Sequence, residues 1–324
     1  MSRTIVVVTC EKDQYEFELL CRTIRKFLEP SRLIFICNEH NCEKWFTWYN
    51  EVIAPLLKKH KVKLFKKHDF WDYTHEEHIH VLQREGWVDQ QVIKLAIAKH
   101  VTTKEYICVD SKNFFIRPCN TLHIKQAEPI SSDWAGELRL NWIKFCCETL
   151  NVRYPGEHIK LTGNITPYII DTKQAQALVT HFGGSELFYV WFITNAVPEA
   201  ISPGEFFLYE IWLIKNGLRL LKDPKYVKQN IYAIWGDIQH NLLHFEYKDY
   251  VESYIEHIEL FDCYMASIHR SMYPYWTKEL YFKLMKTIGL EDCIPKQTCP
   301  YGNEEIIKKM LTPWIDSIKN DQLG

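Results

Sequence analysis

The chain has 324 residues, 47% of them hydrophobic and 25% charged, with 39 Lys and Arg against 41 Asp and Glu for a formal net charge of -2. This is ordinary globular composition, long enough for one large α/β domain or two small ones, and it lacks the basic surplus that nucleic acid or an anionic membrane would select. Eleven cysteines, an odd number with no CxxC spacing, fit free and mostly buried thiols better than a secreted disulfide framework.

In chain order, apolar β-branched runs alternate with amphipathic windows. The pattern predicts a strand over 4–9, a helix over 15–28, a strand over 32–37, a helix over 42–58 and a strand over 61–65. A helix over 88–100 and a strand over 106–109 follow. The first strand pattern starts at Thr4, which leaves no room for a signal peptide. The longest apolar run, LFYVWFI at 187–193, falls well short of the ~20 residues a membrane helix needs. The expectation is a cytoplasmic protein with no transmembrane segment.

Strands separated by helices of these lengths predict βαβ units and a mainly parallel, Rossmann-type sheet flanked by helices. Ligands of such sheets bind in the crevice beyond the carboxyl ends of the strands. Its expected rim includes Thr9, Cys10 and Glu11, then Asn38, then His68 and Asp69, then Asp110 onward. The second half carries breakers at Pro155-Gly156, Gly163, Pro167, Gly183-Gly184 and Pro203-Gly204. Helices are expected there at 174–181, 205–216, 247–258 and 304–311, with a strand at 264–268 running into His269-Arg270-Ser271. No internal repeat or low-complexity linker separates the halves. The expected division is a sheet-bearing half over 1–130 and a more helical half over 131–324, in one body.

The most informative stretch is GWVDQQVIKL followed by YICVDSKNFFIRP, residues 86–95 and 106–118. Gln90, Gln91 and Lys94 stud one helix, and the next strand ends in Asp110-Ser111-Lys112-Asn113, a carboxylate followed by polar and cationic groups. Glu205 in SPGEFFLYE is a candidate carboxylate base; Ser202-Pro203-Gly204-Glu205 also fits a plain helix start, where the helix dipole favours a glutamate. Asp110 has a similar double reading, since an aspartate after a strand often serves only to form a turn. The histidines of His75-Glu76-Glu77-His78-Ile79-His80 do not complete a four-ligand zinc spacing, and His240 and His244 in HNLLH lack the glutamate of a zinc protease. Neither GxGxxG, GxxxxGK[ST] nor GxSxG occurs, which removes the main support for dinucleotide oxidoreductases, P-loop NTPases and α/β-hydrolases. The basic stretches Lys58-Lys59-His60-Lys61 and Lys66-Lys67-His68 read as solvated element ends.

Taken together, VVVTCEKD, GWVDQQVIKL, YICVDSKN, the ITP segment, PGEFFLYE and the late HRS resemble glycosyltransferases of the GT-A type from bacteria and viruses, long known only as a domain of unknown function. The resemblance spans roughly the first 275 residues by motif order, and GWVDQQVIKL followed by VDSKN is its most specific part. It implies a GT-A-like fold, a nucleotide-sugar donor and a carbohydrate or other hydroxyl acceptor. It also implies Asp110 at the first position of the aspartate-any-aspartate motif, in contact with donor or metal. At the third position Lys112 stands where an aspartate usually ligates Mn²⁺ or Mg²⁺, and a protonated lysine cannot ligate. Either Lys112 neutralises the diphosphate itself or a metal is held otherwise, for example by Asp110 and His269.

The expected donor site thus comprises Thr9, Cys10, Glu11, Asp69, Gln91, Lys94, Asp110, Ser111, Lys112, Asn113, His269 and Arg270. Asp133, Trp134, Thr166 and Tyr209 line the expected acceptor side, with Asp110 and Glu205 as catalytic groups and inversion following if Glu205 is a base. A nucleotidyltransferase is the nearest alternative, although CEKDQYE supplies no glycine- and lysine-rich activating loop. A non-catalytic carbohydrate-binding protein of the same fold is the alternative from another class.

Overall fold

A computed structural model of the chain describes residues 2–71, 85–124, 129–131, 136–154, 160–162, 166–195, 204–218, 231–234, 263–268, 277–303 and 305. The helix expected at 247–258, and all but one residue of that at 304–311, lie outside the described residues.

Four parallel strands form the centre: β1 (Thr4–Thr9), β2 (Arg32–Cys37), β3 (Lys61–Lys66) and β4 (Glu105–Asp110). A fifth, β8 (Tyr168–Asp171), closes the edge antiparallel to β4, giving the order β3-β2-β1-β4-β8. The register sets Thr4 opposite Arg32 on one side and Tyr106 on the other, and Val8 opposite Ile36 and Asp110. The sheet is therefore mixed but mainly parallel, as expected; the edge strand supplied by the second half was not read from sequence.

The central strands are continuous apolar runs because both faces are covered. Successive side chains point to opposite faces, so Ile5, Val7, Leu33, Phe35, Ile107 and Val109 join one core with Phe17, Leu20 and Trp45. These last three come from α1 (Gln14–Phe27) and α2 (Glu43–Trp48). Val6, Val8, Ile34, Ile36, Tyr106 and Cys108 join the opposite core. That face is covered by α3 (Glu85–Ala96), α5 (Thr172–His181), α6 (Ser185–Asn195) and α7 (Glu205–Lys215), with α4 (Gly136–Thr149) behind α7.

The helix expected over 42–58 is real only in its first part. After α2 the chain widens into a π turn at Tyr49–Ile53 and tightens into a 3-10 turn at Ala54–Leu57, where Pro55 can donate no N–H to an α-helical ladder. Past Asp110 the chain turns back as β5 (Asn113–Phe115), which pairs antiparallel with β10 (Met265–Ile268); β10 in turn pairs with β9 (Ile231–Ile234). A two-stranded pair, β6 (Pro129–Ser131) with β7 (Lys160–Thr162), and α8 (Lys278–Thr287) complete the regular elements among the described residues. Phe114 faces the α8 side with Tyr281 and Leu284, while Phe115 faces the α1 core, so β5 joins the two packing units.

Asp171 ends β8 and begins α5, its carboxylate accepting from the Gln174 N–H at 3.0 Å. Asp171→Ala is expected to cost about 1 kcal/mol, the usual value of a lost N-cap. The check is a lower urea midpoint at unchanged slope.

Candidate active site

The chain order builds β1, β2 and β3 outward in one direction and then places β4 on the other side of β1, so the switch point lies between β1 and β4. At their carboxyl ends stand Thr9 and Asp110. The turn after Asp110 is fixed locally: Asn113 Oδ1 accepts the Asp110 N–H at 2.8 Å and the Thr166 hydroxyl at 2.9 Å. Ser111 Oγ reaches Asp13 Oδ2 at 3.1 Å, tying this turn to the start of α1.

α3 runs over these strand ends, and Gln90, Gln91 and Lys94, the last from its final turn, each make a contact there. Gln90 Nε2 donates to the Val8 carbonyl at 3.5 Å, and Gln91 Oε1 accepts the Glu205 N–H at 3.2 Å. Lys94 Nζ lies 3.1 Å from Asp110 Oδ1 and 3.0 Å from Glu205 Oε1. It also sits 5.1 Å from the centroid of Phe206, whose ring stacks on Tyr168. Lys112 Nζ is 3.2 Å from the other oxygen, Asp110 Oδ2. Glu205 gets there because Gly204, with φ of 53°, turns the chain into α7 in a conformation that L side chains rarely adopt.

Four charges thus cancel at one point: Lys94 and Lys112 against Asp110 and Glu205. The buried members are Lys94 and Glu205, with side chains 7% and 4% exposed, whereas Asp110 and Lys112 are each 18% exposed and form the open side. Burial disfavours the charge on Lys94, but the Asp110 and Glu205 carboxylates outweigh it and hold the ammonium well above the usual lysine range. Burial likewise works against the Asp110 anion, and Lys94, Lys112 and the Thr166 hydroxyl together hold its carboxyl well below the usual range.

Four buried polar atoms at these strand ends have no hydrogen-bond partner: Thr9 Oγ1, Asn38 Oδ1, Gln91 Nε2 and Asp110 Oδ1, the last with the Lys94 ammonium at ion-pair distance. Buried polar groups are nearly always satisfied, so orphans grouped at a switch point mark a place prepared for polar ligand groups. A divalent cation fits the donor set less well. Both Asp110 oxygens already face ammonium groups, and among the described residues no group of three or more His, Cys, Asp or Glu is arranged to hold a metal.

The expected residues fall into three sets. Thr9, Gln91, Lys94, Asp110, Ser111, Lys112, Asn113, Thr166 and Glu205 are brought to this end of the sheet. Thr166, expected on the acceptor side, is buried as a support for the Asp110 turn. Cys10 and Glu11 follow β1 at the rim, with Glu11 exposed and its N–H held by Glu39 Oε1 at 2.9 Å. Asp69 stands after β3, two strands from β1; it is exposed and accepts the Lys66 N–H at 2.8 Å, a local turn-closing role.

Tyr209 is not brought to the site. Its hydroxyl accepts the Asp171 N–H at 2.9 Å, and Asp171 pairs with Glu105 at the opposite end of β4. Asp133, Trp134, His269 and Arg270 lie outside the described residues, as do the His75–His80 and His240–His244 segments.

One pair escaped the sequence reading. Lys67, taken as part of a solvated basic stretch, is buried with its Nζ 3.1 Å from Asp89 Oδ2 and 3.3 Å from His40 Nε2. Asp89 lies inside GWVDQQ, next to the residues singled out, and is fully buried. The signal available was an aspartate amid the apolar face of a helix, a position that demands a cationic partner.

The strand order and the charged cluster at the strand ends define an α/β protein with a candidate site at its topological switch point. The chain belongs to the Family of unknown function (DUF6492), whose model matches residues 4–234. No curated protein matches it. Among solved structures it is similar to mouse xyloside xylosyltransferase 1 in its apo form, with 11% identity over 82% of this chain and 97% of that one and a TM-score of 0.46. It is also similar to the WbbM bifunctional glycosyltransferase, with 11% identity over 89% of this chain and a TM-score of 0.46; the match spans 49% of that chain, about half its length. No helix among the described residues is long and apolar enough to cross a membrane.

The depressed Asp110 pKa contributes stability that is present above the usual carboxylate range and lost as pH falls through the folded value. The raised Lys94 pKa contributes stability that is present below the usual lysine range and lost as pH rises through the folded value. The cluster is therefore at full strength between about pH 5 and 9. Lys94→Met leaves Glu205 buried without its cation and is expected to cost about 3–5 kcal/mol near pH 8, the scale of a broken buried pair. That deficit shrinks as pH falls, because Asp110 without Lys94 takes up a proton more readily, whereas a deficit independent of pH in urea titrations contradicts the assignment.

Proposed function

We propose that this protein is a GT-A-like glycosyltransferase that moves a sugar from a nucleotide-sugar donor to a carbohydrate or other hydroxyl acceptor. The observation that carries the reading is Lys94 bridging Asp110 and Glu205 at the β1/β4 switch point, with Lys112 on the open side. The motifs whose resemblance points to glycosyltransferases, GWVDQQVIKL and VDSKN, supply three of these four groups.

In the proposed reaction the bond from the sugar's anomeric carbon to the diphosphate oxygen breaks, and its electron pair stays on the diphosphate. A bond from the acceptor oxygen to that carbon forms, and the acceptor hydroxyl releases its proton. The developing charge on the leaving group calls for preorganised cations in a site partly shielded from water. Lys112 faces the opening, and Lys94 fixes the carboxylate that holds it. Thr9 Oγ1 and Gln91 Nε2, both without partners, are suited to hydrogen-bond the donor, while Cys10 and Glu11 border the route for its base and ribose.

Glu205 is better suited to positioning than to proton abstraction, because its carboxylate is buried and already neutralised by Lys94. The competing reading keeps Glu205 as the base and the reaction inverting.

Release of nucleoside diphosphate from a panel of UDP-, GDP- and ADP-sugars measures the activity. Asp110→Asn is expected to lower that release about 100-fold or more while the protein stays folded, the scale on which one charge-organising group acts. Glu205→Gln is expected to lower kcat and keep the acidic limb of the pH–rate profile. Loss of that limb restores Glu205 as the base, and full activity in Asp110→Asn removes the proposed chemistry.

A further inference from the structure

Resting on the donor reading above, we propose that Lys112 and Lys94 occupy the role of a divalent cation, so that this site binds the donor diphosphate without metal. Three features of the cluster lead there. First, each Asp110 oxygen has an ammonium at ion-pair distance: Oδ1 faces Lys94 at 3.1 Å and Oδ2 faces Lys112 at 3.2 Å. A dication approaching either oxygen meets an ammonium at ion-pair distance and is repelled by both.

Second, the charges balance before any ligand arrives. Two ammonium groups and two carboxylates sum to zero, and the partners of each are within 3.2 Å. Among the described residues, each carboxylate of this cluster faces an ammonium at ion-pair distance. A site prepared for Mn²⁺ or Mg²⁺ has the opposite character, with oxygen ligands in excess of nearby cations.

Third, the cluster is asymmetric toward solvent. Lys94 and Glu205 are buried behind it, whereas Lys112 and Asp110 share the exposed side. A lysine ammonium is a compact point charge with three donors, able to hold a carboxylate and phosphate oxygens together. When the bond between the anomeric carbon and the diphosphate breaks, the electron pair settles on a β-phosphate oxygen. Lys112 stands on the β4–β5 turn, where that charge grows beside the strand ends. Asp110 thereby serves as an anchor for two lysines instead of as a metal ligand, and Glu205 keeps the inner lysine in place.

Two measurements test this, and they fail independently. In the first, the free-ion electron paramagnetic resonance signal of Mn²⁺ is titrated with wild-type protein and with Lys112→Asp. The expected result is an undiminished signal with wild type and attenuation with Lys112→Asp, in which a second carboxylate replaces the cation. Attenuation by wild type that disappears in Asp110→Asn overturns the inference, whatever nucleotides do.

In the second, calorimetric titration measures binding of UDP, GDP, CDP and ADP in chelator and in Mn²⁺. Wild type is expected to bind one of them equally under both conditions, Lys112→Gln at least tenfold more weakly. Lys112→Asp should lose affinity in chelator and regain it with Mn²⁺. Wild-type binding that vanishes in chelator overturns the metal-free assignment alone. No binding of any nucleotide under either condition overturns the donor reading and the inference with it. The wild-type arms need no variant to fold, and circular dichroism of Lys112→Gln and Lys112→Asp separates lost affinity from lost structure.

Discussion

Everything at the strand ends depends on one buried ammonium. Lys94 comes from a helix packed on the sheet, Asp110 from the end of a central strand and Glu205 from the first residue of a later helix, 111 residues further along the chain. An unpaired lysine in this position would deprotonate or unfold its surroundings, since taking an ion out of water costs several kcal/mol even after relaxation. Two carboxylates remove that cost, and in return the lysine dictates where they lie. The α3–β4–α7 junction is consequently held by charge as well as by apolar packing.

A second buried pair repeats the arrangement one step earlier on the same helix. Asp89 holds Lys67 at the end of β3, as Lys94 holds Asp110 at the end of β4. The helix α3 is thereby pinned by opposite charges to strands on either side of β1, with Gln90 bonded to β1 itself. Such double anchoring keeps the orphan amide of Gln91 and the orphan hydroxyl of Thr9 in fixed places. Preorganisation of this kind is what a site for a strongly charged diphosphate requires, because donors that are already oriented need no rearrangement as charge develops.

The sheet was legible in the sequence because β1, β2 and β4 are buried on both faces and so write themselves as unbroken apolar runs. The strand-end position of Asp110 and the helical spacing of Gln91 and Lys94 were legible for the same reason. What was hidden depends on contacts between distant segments. That Glu205 meets Lys94, and that Asp89 needs Lys67, is not written in either local pattern. Tyr209 shows a different obstacle. Every residue from Glu205 to Trp212 is buried, so α7 has no solvent face from which to judge which aromatic points toward the crevice. Tyr209 turned out to face the far end of β4. Similarly, β8 supplies only four residues to the edge, too few for period-two alternation to distinguish them from the loop before them.

The central claim is that the Lys94–Asp110–Lys112–Glu205 cluster receives a nucleoside diphosphate at the β1/β4 switch point. The most direct measurement is a crystal structure of the protein with the nucleoside diphosphate it binds most tightly. The account predicts a β-phosphate within hydrogen-bond distance of Lys112, Lys94 still bridging Asp110 and Glu205, and donor atoms satisfying Thr9 Oγ1 or Gln91 Nε2. A nucleotide seated away from these strand ends, with the cluster unchanged, would contradict it.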